Sequence, residues 1–228
     1  MRTISFHRKY ISKLACALSV FIVVCAMLYS VLFRNVKIVE LYKTFYFLVT
    51  DDTRVEAGAE FVKLEGGAGY LLCYEGQDRV VLSVYLRETD GETVQAALAQ
   101  NGEKTQLLSL SVDRLYFKRR KDKKQADTYV SALRTLYSQM IVLSECISRL
   151  EKGMTQEACK RILTPLSRQL AYASDVYKER YPSYANVCKR TAEDLLLLKE
   201  ETIYARDLRY LLCCWATEYM TLGEEFSL

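Results

Sequence analysis

Thr44–Gly76, TFYFLVTDDTRVEAGAEFVKLEGGAGYLLCYEG, and Asp78–Val112, DRVVLSVYLRETDGETVQAALAQNGEKTQLLSLSV, each read strand, short helix, strand. In FYFLVT, Phe45, Phe47 and Val49 fall on one face of a strand and Tyr46, Leu48 and Thr50 on the other, as the two-residue period of an extended chain requires. Asp51, Asp52 or Thr53 then caps a helix through Leu64, with Val55, Ala59, Phe61 and Val62 as its apolar flank and Gly66–Gly67 as its stop. GYLLCYEG forms the next strand, and Gly76-Gln77-Asp78 predicts a tight turn into RVVLSVYL. The second half repeats the plan. Thr89 or Asp90 precedes a helix carrying Val94, Ala97 and Leu98, Asn101-Gly102 stops it, and TQLLSLSV is the last strand. The order βαββαβ predicts an α+β unit, a four-stranded antiparallel sheet with both helices on one face. The other face is left open unless another part of the chain packs on it.

Upstream, residues 14–33 read LACALSVFIVVCAMLYSVLF without a charge. At about 1.5 Å rise per residue a helix of this length covers roughly 30 Å, enough to span a bilayer. A cleaved signal peptide has an apolar core of only about 7 to 15 residues and a small-x-small cleavage site, so the run reads as an uncleaved anchor. Arg2, Arg8, Lys9 and Lys13 precede it with no acidic residue among them. That favours a cytoplasmic tail, residues 1–13, with the bulk of the chain outside, in a single-pass cell-membrane protein, over the inverted topology that leaves the bulk of the chain and its thiols in the cytoplasm.

Downstream of the doubled segment (43–117), the basic run 118–124, KRRKDKK, reads as a solvated linker. Residues 125–222 are helical in pattern. Tyr129, Leu133, Leu136, Met140, Leu143, Ile147 and Leu150 step by fours and threes, and Gly153 ends that helix. Cys159, Leu163, Leu166, Leu170, Ala173 and Tyr177 continue the rhythm, with Pro165 expected to kink or restart the helix. After the break at Tyr181-Pro182-Ser183, no proline or glycine intervenes from Tyr184 to Leu222, and Leu195, Leu198, Leu208, Leu212, Trp215, Tyr219 and Leu222 supply a third apolar surface. The expectation is a three-helix bundle. Leu195 to Leu198 put apolar groups all round one turn, which points to burial against a neighbour.

The wording of the doubled segment resembles the SPOR (sporulation-related repeat) domain, which in bacteria binds peptidoglycan glycan strands stripped of stem peptides. FYFLVT stands where the family has its aromatic first strand, GYLLCYEGQDRVVLSVYL where it has the central hairpin with a Y-R-V-x-V-G-like strand, and ETVQAALAQNG where it has the second helix. The resemblance implies a membrane-anchored, non-catalytic protein of sporulation or cell division that binds glycan on its sheet face. The residues implied there are Tyr46, Leu48, Thr50, Tyr70, Leu72, Tyr74, Arg79, Val81 and Ser83, with Tyr85 beside them. Where the family pattern has a polar residue and a glycine, this chain has Leu48 and Thr50 on the first strand, and Val81 and Ser83 on the third. Sugar recognition needs hydrogen-bonding groups beside aromatic platforms, because an unpaired buried hydroxyl costs about 1 to 3 kcal/mol. The same face therefore also reads as apolar and covered, used to hold a protein partner in a membrane-associated assembly.

The remaining chemistry narrows the options. A net charge of +4 with one short basic run does not make a nucleic-acid surface. Of the 8 cysteines, Cys16 and Cys25 lie in the apolar run, and Cys73, Cys146, Cys159, Cys188, Cys213 and Cys214 show no C-x-x-C spacing. The sole histidine, His7, precedes the apolar run, so neither a metal site nor a Ser-His or Cys-His nucleophile is expected, and no cofactor is implied. Glu75, Asp78, Glu88 and Asp90 fall in turns and helix starts, where structural roles are commoner than paired-carboxylate catalysis. Buried thiols are the default for the helical cysteines, with a bridge from Cys146 or Cys159 to Cys188 as the alternative in an oxidising compartment.

Overall fold

The computed structural model describes residues 21–22, 24–25, 36–50, 55–118, 123–200 and 202–225. The tail 1–13, most of the apolar run 14–33, the caps Asp51 to Thr53 and residues 119–122 of the basic segment lie outside them. Among the described residues no helix is long and apolar enough to cross a membrane.

The chain folds as β1 (Val36–Thr50), α1 (Val55–Leu64), β2 (Tyr70–Tyr74), β3 (Gln77–Tyr85), α2 (Glu88–Gln100) and β4 (Thr105–Lys118), followed by α3 (Lys123–Glu151), α4 (Gln156–Tyr177), α5 (Pro182–Glu200) and α6 (Ala205–Glu224). The strands form one antiparallel sheet in the order β2-β3-β1-β4, and the predicted βαββαβ plan is present.

Three local expectations are corrected. The hairpin turn lies at Glu75 (φ 50) and Gly76 (φ 74), with Gln77 already paired to Tyr74. Two left-handed residues in succession form the two-residue loop whose twist matches that of the strands. Helix α2 begins at Glu88, after Arg87, whose side chain makes no cap, so Thr89 and Asp90 lie within the first turn and Glu88 and Asp90 face its positive end. Strands β1 and β4 are also longer than their alternation suggested. Residues Val36–Glu40 pair with Arg114–Lys118, and the ladder crosses a register shift where Tyr42 takes φ 44.

After β4 the expected three helices are four. Helix α4 runs on through Pro165, and the segment Tyr184–Leu222 is broken between α5 and α6. There Ile203, 1% exposed, has its N–H donated to Gln156 Oε1 (2.9 Å) and its carbonyl bound by Gln156 Nε2 (2.8 Å). One glutamine on α4 thus supplies the two bonds a continuous helix would have made. The seams behave as their periods require. Tyr129, Leu133, Leu136, Met140, Leu143 and Ile147 are all buried on α3, as are Cys159, Leu163, Leu166 and Leu170 on α4. Sheet and helices share one continuous core, and a small second cluster of Ala59, Val62 and Val80 sits under α1.

Candidate functional site

The strand alternation of β1 divides the sheet into two faces. Phe45, Phe47 and Val49, none more than 1% exposed, look toward the C-terminal helices. The ring of Phe45 meets Tyr137 of α3 at 5.9 Å and Tyr219 of α6 at 5.4 Å, both edge-on, the arrangement that suits aromatic quadrupoles. Helix α6 crosses this face from β2, where Tyr210 packs on Tyr70 at 5.7 Å, to β4, where Gly223 lies against Val112. A Cβ on Gly223 would stand 2.4 Å from Val112 Cγ1, so glycine is what lets the helix end approach the strand. At the margin, the Lys43 ammonium sits 4.2 Å from the Tyr137 ring centroid. The face opposite α1 and α2 is therefore filled by the chain's own helices.

A bulge decides where the nine sheet-face residues go. Leu48 pairs with Ser83 but Val49 pairs with Val81, which leaves Leu82 as an extra residue in β3. Val81 consequently shares the face of Val49, together with Tyr70, Leu72, Tyr74 and Arg79, the residues aligned with it across β2 and β3. Of these, Val81 and Leu72 are buried, and Tyr70, Tyr74 and Arg79 are half-buried; Arg79 Nη2 donates to Gln77 Oε1 at 2.8 Å. Tyr46, Leu48, Thr50 and Ser83 lie on the other face, under α1 and α2, where Leu48 is 0% and Ser83 6% exposed. The structure thus splits the nine residues between two covered faces and does not join them into one open surface.

One accessible cleft, of about 480 Å³ between α1 and α2, is floored by Leu48, Thr50, Ser83 and Tyr85 and walled by Phe61 and Val62, and a second, of about 390 Å³, opens beside Leu72 and Tyr74 at the end of α6. The approach of α2 to the sheet depends on Gly91, since a Cβ there would come within 2.8 Å of a Leu107 methyl. Burial pushes the Tyr85 hydroxyl above the ordinary tyrosine range, opposed by the Arg209 guanidinium and a hydrogen bond with Ser83. Arg209 reaches this end of the cleft from α6, donating to the Gly66 carbonyl and pairing with Glu151. Arg206 adds a bond to the Lys63 carbonyl at 3.4 Å. These arginines tie α6 to the loop that follows α1, and no sequence pattern marked either one, because charges beside an apolar seam ordinarily face solvent.

The α1–α2 cleft offers hydroxyls, apolar walls, the ion-paired Arg209 and, among its lining residues, Glu65, Glu103 and Lys104. Glu75 is exposed in the hairpin turn, Asp78 in β3 opposite Cys73, and Glu88 and Asp90 in the first turn of α2. Among the described residues no group of three His, Cys, Asp or Glu side chains stands where it could hold a metal ion. Phe61, which lines the cleft, is 61% exposed, as are Leu64 on α1 (76%) and Leu71 on the edge strand β2 (42%). On α5, Leu196 and Leu197 are 47% and 66% exposed, which is where the apolar turn 195–198 meets solvent. No protein-family model matches the chain, and no curated protein and no solved structure matches it.

Proposed function

We propose that the chain is a membrane-anchored, non-catalytic interaction module in which a SPOR-like βαββαβ fold holds a protein partner within a membrane-associated assembly of sporulation or division. The apolar run 14–33 serves as its single-pass anchor, with the N-terminus cytoplasmic and the folded part outside. The observation that carries this reading is the filling of the sheet face by α3 and α6, with Phe45 wedged between Tyr137 and Tyr219. Extended glycan needs an open platform, and that platform is occupied. The exposed Phe61, Leu64 and Leu71 instead present apolar surface of the kind protein partners cover.

The glycan reading rests on a narrower observation. Tyr46 and Thr50 are half-exposed on the α1–α2 side, close to the hydroxyls of the cleft. Cosedimentation of the detergent-purified full chain with intact and with amidase-treated peptidoglycan sacculi separates the two. The expected result is no enrichment on either; retention on amidase-treated sacculi alone overturns the interaction reading in favour of glycan.

A further inference from the structure

We infer that Cys146 and Cys159 are a disulfide-forming pair that locks the α3–α4 hairpin. The bridge to Cys188, which the sequence left as the alternative to buried thiols, is not the arrangement found. Cys146 Sγ and Cys159 Sγ lie 3.4 Å apart, both 0% exposed, facing each other across the antiparallel helices on either side of the turn at Lys152–Thr155. Closing to a bond length of about 2.05 Å asks the sulfurs to approach by only about 1.4 Å. The other helical thiols are engaged elsewhere: the buried Cys188 with the Tyr184 hydroxyl, the half-buried Cys214 with Tyr210, and the buried Cys213 with the backbone at Val84.

The two sulfurs are also unequal. The hydrogen bond with Cys146 holds the Cys159 thiol below its usual range, and the same bond together with burial pushes Cys146 up. The exchange can open at either sulfur, since either can donate in their contact, and with Cys159 as first nucleophile it balances. The Cys159 thiolate attacks one sulfur of a small-molecule disulfide such as oxidised glutathione, releasing one thiolate and leaving a mixed disulfide. Cys146, losing its proton to solvent or to that leaving thiolate, then attacks the Cys159 sulfur and expels the second thiol. Two protein thiols become one disulfide as one external disulfide becomes two thiols, so electrons and protons balance.

The lock has a defined mechanical consequence. The tip of this hairpin carries Glu151, which pairs with Arg209, and Gln156, which holds both backbone groups of Ile203. A bridge between Cys146 and Cys159 fixes the element from which the start of α6 and the loop after α1 are positioned.

The test uses the full chain in detergent, exposed to oxidised glutathione in sub-denaturing urea, then blocked with iodoacetamide and digested with trypsin without reduction. Cleavage after Arg149 and Lys152 separates Cys146 in Thr135–Arg149 from Cys159 in Gly153–Lys160, so only a bridge keeps these peptides together. The linked pair is expected to account for most of both peptides and to vanish on reduction. In Cys146→Ser the pair is expected to be lost and Cys159 to be found as the glutathione mixed disulfide. Recovery of both peptides alkylated from the unsubstituted protein, or a bridge from either cysteine to Cys188, overturns the inference.

Discussion

At the scale of single residues, closeness of approach matters more than chemical type. Gly223 brings the end of α6 onto Val112 of β4, where an added Cβ meets methyl carbons at 2.4 and 2.9 Å. Gly223→Ala is expected to destabilise the protein by about 1 to 3 kcal/mol in chemical denaturation, through overpacking. The double variant with Val112→Ala should recover part of that loss, since removing the two methyls opens the space. Equal losses in the single and double variants would show that the contact is not the source of the cost. The burial of Phe45, Phe47 and Val49 was legible from their alternation. The role of Gly223 was not, because a glycine near a chain end looks like a helix stop until a strand some hundred residues earlier is seen beneath it.

At the scale of elements, period and punctuation account for most boundaries. The step of fours and threes from Tyr129 to Ile147 predicted a buried seam, and those side chains are buried. Gly102, at φ 85, ends α2 as a left-handed stop should. The break between α5 and α6 has no such punctuation. It depends on Gln156, whose amide satisfies the Ile203 backbone in the manner of a paired helix bond. Gln156→Ala leaves a buried donor and acceptor unmet and is expected to cost about 1 to 3 kcal/mol in urea denaturation. Gln156→Glu, which retains an acceptor for the Ile203 N–H but removes the donor to its carbonyl, should not restore full stability. Wild-type stability in Gln156→Ala would show that the break is held by packing alone.

For the whole molecule, buried thiols set how stability responds to alkali. Burial is the main cause that pushes Cys188 and Cys214 up to about 11 from the ordinary 9.0. Their contribution is fully present below about pH 9, where the thiol is neutral in both states. As pH rises toward 11, the unfolded chain ionises first and stability is lost through the folded-state value. Burial raises the hydroxyls of Tyr129, Tyr184 and Tyr219 as well, which extends the loss in the same direction at higher pH. Thermal melting under reducing conditions should therefore fall as pH climbs above 9, and Cys188→Ala should show a shallower fall even though its melting temperature starts lower. A parallel pH slope in that variant would remove Cys188 from the account. Across the chain, the sequence by itself determined the βαββαβ order, the two-faced strands and the buried seams, because each follows from a local period that sorts side chains between water and core. Only the tertiary structure decided that α3 and α6 close one sheet face while α1 and α2 cover the other. It likewise decided that the extra residue Leu82 sends Val81 and Ser83 to opposite sides, and that Cys146 meets Cys159. Those outcomes depend on packing between segments distant in the chain, and no local repeat encodes which of several apolar surfaces will meet.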